Sequence, residues 1–260
     1  MISPSGLLFR MLVKRDPFYV ISHERSGTHF AINTLFRNTY VAQHLHYVGD
    51  WLGPYEDSAG QFRHLDGFRN DWARIRARGG MIKSHCDTAT FRTRFPEAPV
   101  VYVIRDARDT LVSFFHYLNK DELYITNPGL ASQRCADFSE FLRRPASDYL
   151  RLGFFAKPDF DNVAGRWACH VAGWLAMPGV TVVRYEDLVT DFKSCVRQVC
   201  RGVRLLPRWH QSPVGMGEGS SVLPRKGIIG DWKTHFSAGD EKFLRSELAR
   251  YGLNPEGVPL

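Results

Sequence analysis

The chain is poor in cysteine and has no long apolar run. Five cysteines, Cys86, Cys135, Cys169, Cys195 and Cys200, occur in 260 residues without a C-x-x-C pair. Neither a disulfide framework nor a zinc site is signalled, and a reducing, cytoplasmic setting is expected. The apolar stretch 7–13 is short and broken by Arg10, and no later run approaches the roughly 20 residues needed to span a bilayer, so no membrane partner is expected. Lys and Arg are dispersed instead of forming a basic tail, and no nucleic-acid motif is present, so no nucleic-acid partner is expected either. The Walker pattern G-x-x-x-x-G-K-[ST] is also missing, which disfavours an ordinary ATPase or GTPase. No internal repeat is found.

What is present is an ordinary globular composition with an excess of positive charge. Hydrophobic residues make up 44% and charged residues 23%, which excludes disordered and fibrous classes. A net charge of +7 suits a polyanionic partner such as a nucleotide with several phosphates. Length and pattern predict a single α/β domain over residues 1–260, a parallel sheet flanked by helices. Apolar, β-branched runs predict strands over 18–21, 81–83, 99–104 and 180–183. Helical spacing predicts helices over 28–36, 106–118 with Asp106 as N-cap, 162–176, most of 187–203, and 238–251. Residues 40–79 and 211–229 lack a steady period and are expected to be loop-rich.

Four segments carry chemistry. The first strand delivers Arg25-Ser26-Gly27-Thr28 to a helix start, where backbone N–H groups, a hydroxyl and a cation converge as they would on a phosphate. Arg105 stands at the carboxyl end of the 99–104 strand, where open α/β sheets bind ligands, and Ser113 follows two helical turns later. Lys83-Ser84-His85 ends another strand: a His there can take a proton from a hydroxyl nucleophile while Lys83 supplies positive charge. Near the C-terminus, Arg225-Lys226-Gly227 clusters two cations beside a glycine that permits close backbone approach. Each segment alone also fits a bland reading, as a plain βα turn, an Arg paired with Asp106 or Asp109, a structural His, or a solvated turn.

Together and in this order they resemble the cytosolic-type PAPS-dependent sulfotransferases, with landmarks from residue 18 to about residue 236. His23-Glu24-Arg25-Ser26-Gly27-Thr28-His29-Phe30 is similar to the family's 5′-phosphosulfate loop, Tyr-Pro-Lys-Ser-Gly-Thr-Thr-Trp, with Arg25 at the loop lysine. The resemblance implies a P-loop-like sulfotransferase fold and transfer of a sulfuryl group from PAPS to a hydroxyl or amine of a small-molecule acceptor, leaving PAP, with no metal. It implies His85 as base, with Lys83 and Arg25 stabilising the transfer. It also implies donor contacts from Arg25, Ser26, Gly27, Thr28, His29 and Phe30, 3′-phosphate contacts from Arg105, Ser113, Arg225, Lys226 and Gly227, and Tyr185 near adenine. A P-loop kinase and a non-catalytic PAPS-binding module are the alternatives.

This chain departs from the family pattern at several positions. Glu24 replaces the usual Pro and is expected to point away or pair with a cation. His29 and Phe30 replace a hydroxyl residue and a Trp. The family's dimer motif is poorly matched over 233–238, with Lys242 where an acid should stand. Trp51, Tyr55, Phe115, Tyr117, Phe154 and Phe155 suit either a pocket for an aromatic or lipophilic acceptor or the core.

Overall fold

A computed structural model describes residues 17–41, 44–45, 80–119, 134–145, 160–208 and 227–260. Five parallel strands form one sheet: β1 (Phe18–Ser22), β2 (His44–Leu45), β3 (Met81–Ser84), β4 (Val100–Ile104) and β5 (Val180–Arg184). Their spatial order is β2-β3-β1-β4-β5. The first strand therefore lies at the centre, and the chain crosses from one side of it to the other between β3 and β4. Ligands in open α/β sheets gather beyond the strand carboxyl ends at such a reversal.

Every residue of β1, β3 and β4 is buried, as expected for strands covered on both faces. Alternate side chains feed two cores because successive strand residues point to opposite faces. Phe18, Val20, Val101 and Val103 meet helices α1 (Thr28–Asn38) and α7 (Phe192–Gly202) through Ile32, Leu35, Val196 and Val199. Tyr19, Ile21, Tyr102 and Ile104 face the other way. They join the core shared with α3 (Ala107–Leu118), α5 (Val163–Leu175) and α8 (Ala238–Ala249), where Trp167 and Trp174 are fully buried.

The expected strands are present, and four of the five expected helices agree to within a few residues. Asp106 caps α3 by accepting from the Arg108 amide at 2.8 Å. The helical stretch expected over 187–203 is two helices, α6 (Tyr185–Thr190) and α7, because Asp191 leaves the helical region (φ −140°, ψ 60°) and caps α7 through the Ser194 amide. Two short helices, α2 (Thr88–Arg94) and α4 (Phe138–Arg143), have no strong sequence signal. Among the described residues no helix is long and apolar enough to cross a membrane.

Candidate active site

Each candidate segment that lies among the described residues reaches the carboxyl edge of the sheet. The loop 23–27 leaves the central strand, His85 follows β3, Arg105 follows β4 and Tyr185 follows β5, and these strands are hydrogen-bonded neighbours. Arg225 and Lys226 lie outside the described residues, as do Trp51, Tyr55, Phe154 and Phe155.

The loop turns sharply through two left-handed residues, Arg25 at φ 66° and Gly27 at φ 90°. A non-glycine residue in that region is uncommon and concentrates at functional sites. Gly27 is required for a second reason: a Cβ there would lie 2.3 Å from Tyr185 Cδ2. The turn delivers α1 with no side-chain cap and no acid in its first turn, so the helix presents its amide end to whatever occupies the site. Ser26 and Thr28 are buried beneath, with Thr28 Oγ1 2.5 Å from Ser22 Oγ.

His85 is held in one tautomer. Its Nδ1 donates to the Ser22 carbonyl at 2.8 Å, which leaves Nε2 unprotonated and without a hydrogen-bond partner among the described residues. Burial, with the nearby Lys83 cation second, pushes this imidazole well below its usual range, so it is neutral at pH 7. Behind it, His170 Nε2 lies 3.2 Å from the His85 carbonyl, and Tyr102 Oη lies 2.9 Å from His170 Nδ1. Tyr102 thus donates to Nδ1, and His170 donates to the main chain of His85.

Arg105 is buried and built for an anion. Its Nη2 donates to the Ile228 carbonyl at 3.0 Å, and its guanidinium lies 4.5 Å above the Tyr185 ring. Its Nε is buried with no hydrogen-bond partner among the described residues. Such an orphan donor is rare in a native interior and fits an acceptor supplied by a ligand. Asp109 is only loosely paired with Arg105, at 3.9 Å, and Asp106 pairs with Arg108 instead; the bland reading of Arg105 as a simple ion-pair partner is therefore weak. Arg25 Nε donates to Ser113 Oγ at 3.3 Å, which links the loop to α3, and its guanidinium lies 5.0 Å from the Tyr117 ring. Tyr185 Oη donates to the Gly227 carbonyl at 3.2 Å, and Phe30 meets the Tyr185 ring edge-on at 5.6 Å.

Of the two described aromatics considered for an acceptor pocket, Phe115 belongs to the core, packed edge-on against Phe138 and Phe141. Tyr117 lies beside Arg25. Glu24 does pair with a cation: Arg166 of α5 grips both carboxylate oxygens, at 2.7 and 2.8 Å. Tyr102, Arg166 and His170 have no place in the expectations from sequence, and Asp109 entered there only as a possible partner of Arg105. The signal for Arg166 and His170 was their i,i+4 placement on the buried face of an otherwise apolar helix.

An open parallel sheet with a buried neutral imidazole, an uncapped helix start and a buried guanidinium at its carboxyl edge fits a nucleotide-dependent group-transfer enzyme. The chain belongs to the sulfotransferase domain family, whose model matches residues 15–203. A 3-alpha-hydroxysteroid sulfotransferase from Cavia porcellus is 26% identical across 93% of this chain and 87% of that protein. Sulfotransferase 6B1 of Danio rerio is 29% identical across 59% of this chain and 51% of its own length. Among solved structures, mouse sulfotransferase SULT7A1 complexed with PAP superposes with a TM-score of 0.63 at 18% identity, covering 93% of this chain and 86% of that one. Retinol dehydratase in complex with androsterone and PAP gives 0.55 at 15% identity, over 95% and 83%. The protein is a sulfotransferase, transferring sulfate from PAPS to a small-molecule hydroxyl, and the kinase and non-catalytic readings are not favoured.

Proposed function

We propose that His85 is the general base of this sulfuryl transfer and that PAPS is held between the loop 23–28, Arg105 and Tyr185. The observation that supports this is the fixed tautomer of His85: with Nδ1 committed to Ser22, the open Nε2 of a neutral imidazole is the atom able to take the acceptor's proton. PAPS supplies the electrophilic sulfuryl group on a phosphate leaving group.

The protein's own groups provide position and charge. The amides at the start of α1 and the hydroxyls of Ser26 and Thr28 hold the 5′-phosphate, and Lys83 and Arg25 stabilise the negative charge that develops as the leaving oxygen departs. Arg105, through its orphan Nε, receives the 3′-phosphate together with Ser113, Gly227, Arg225 and Lys226. His29 flanks the phosphate end, and Phe30 and Tyr185 form the aromatic face for adenine.

The acceptor is a lipophilic small molecule bearing a hydroxyl. Support comes from the steroid named for the Cavia porcellus relative and from the androsterone bound to retinol dehydratase. Residues 1–260 act as one sulfotransferase domain in the cytoplasm. The family's dimer motif is poorly matched over 233–238, with Lys242 in place of an acid, which supports no family-type dimer for this chain.

Calorimetric titration with PAP, with ADP and magnesium–ATP as controls, tests the donor site. Wild type should bind PAP in preference to ADP, and Arg105→Ala should lose that preference. A preference for magnesium–ATP would overturn the assignment.

A further inference from the structure

Glu24 is the only acidic residue between Ser22 and Thr28, the segment that must receive a polyanion. We infer that Arg166 is a positioning residue of the donor loop, which neutralises the Glu24 carboxylate and draws it away from the anion so that the loop can hold PAPS. The inference rests on the donor-site reading above.

The geometry is that of a two-pronged clamp. Arg166 Nη2 donates to Glu24 Oε1 at 2.7 Å and Nη1 to Oε2 at 2.8 Å, while His23 Nε2 lies 2.8 Å from the same Nη1. His23 donates its Nδ1 hydrogen to the Glu24 carbonyl at 2.9 Å, so its Nε2 is an acceptor for Arg166. One guanidinium thus holds two consecutive loop side chains against α5. All three residues are at least nine-tenths buried, where an unpaired carboxylate would act on neighbouring charges with little solvent screening.

The next residue goes the other way. The left-handed turn at Arg25 sends its side chain to α3, where it meets Ser113 and Tyr117. The loop therefore separates its charges, with the carboxylate fastened to α5 and the cation directed to α3 beside the anion site. Only a planar fork holds both carboxylate oxygens and the imidazole at once, a geometry that the single ammonium of lysine does not reproduce.

The test is a charge cycle read by PAP titration, with thermal melts in parallel, on wild type, Arg166→Gln, Glu24→Gln and the double variant. Arg166→Gln leaves the carboxylate unneutralised and should weaken PAP binding roughly tenfold or more. The double variant carries neither charge and should return to within about threefold of wild type, even if its melting temperature stays lower. A merely structural pair predicts the opposite, with the double variant binding no better than Arg166→Gln, and that result would overturn the inference. Should Arg166→Gln fail to fold, Glu24→Gln decides: it should bind PAP as tightly as wild type or more so, and a clear loss would overturn the clamp. Failure of the wild type itself to bind PAP would sink the donor-site reading and this inference with it.

Discussion

Asp109, in the first turn of α3, accepts the backbone amide of Gly230 at 2.7 Å and that of Trp232 at 3.0 Å. The carboxylate is almost fully buried, and it ties down the segment just beyond Gly227, whose carbonyl receives Tyr185. The C-terminal segment is thus fastened at two points beside Arg105. Amides hydrogen-bonded to a buried carboxylate are expensive to orphan, so Asp109→Ala should lower stability by about 2–3 kcal/mol. It should raise the Kd for PAP more than it lowers kcat at saturating donor. Equal PAP affinity in the variant and wild type would mean that this segment does not shape the donor site.

His85 makes a separate prediction about chemistry. His85→Ala should lower kcat by about 10²–10⁴-fold with PAP affinity nearly unchanged, because the side chain is proposed to act on the acceptor's proton alone. Burial and Lys83 hold the imidazole below its ordinary range, so it loses basicity only when protonated at a pH lower than usual. The acid limb of kcat/KM should therefore fall below pH 6.5. An acid limb at or above 7 would assign the titration to another group.

The third prediction concerns the loop's backbone. Gly27→Ala places a methyl group at a left-handed position and against the Tyr185 ring, where its nearest carbon would be 2.3 Å away. Conformational strain alone costs about 1–3 kcal/mol, and the displaced ring disturbs the face proposed for adenine. The variant should melt earlier and bind PAP more weakly. A wild-type melting curve would show that the turn relaxes without loss.

How legible this was in the sequence depended on the range of the signal. The strand that leads to Arg105 is a run of apolar, mostly β-branched residues whose burial on both faces follows from composition, and the strand that leads to His85 begins with Met81-Ile82 after a glycine pair. The segment around Gly27 declares itself by residue type and order. Asp191, by contrast, breaks a helical run that periodicity alone would continue, and its capping preference was outweighed by the apolar spacing around it. Arg166 and His170 act across more than 80 positions on Glu24 and on the His85 carbonyl. No local pattern encodes such pairings, because they depend on how α5 packs across the sheet. Phe115 illustrates the same limit, since aromatic residues suit a pocket and a core equally until packing assigns them.

The buried histidines yield the last prediction, on stability against pH. Burial pushes His170 down to about 4 and His23 to about 3 from 6.5. The unfolded chain therefore takes up protons at these positions first as the pH falls, so folding stability is complete above about 6.5 and declines below it. Each such imidazole contributes a slope of up to about 1.4 kcal/mol per pH unit through the window in which only the unfolded form is protonated, reaching down to about 4 for His170. Glu24, held below the usual carboxylate range by Arg166 despite the opposing effect of burial, adds a loss of the same sign at lower pH. Melting temperature should hold steady from pH 8 to 7 and drop steeply between 6.5 and 4. His170→Gln, which cannot titrate, should show a shallower drop while being less stable at pH 7, because the bond from Tyr102 is lost or weakened. A variant that parallels wild type across the whole range would show that His170 titrates normally and is not held neutral by the fold.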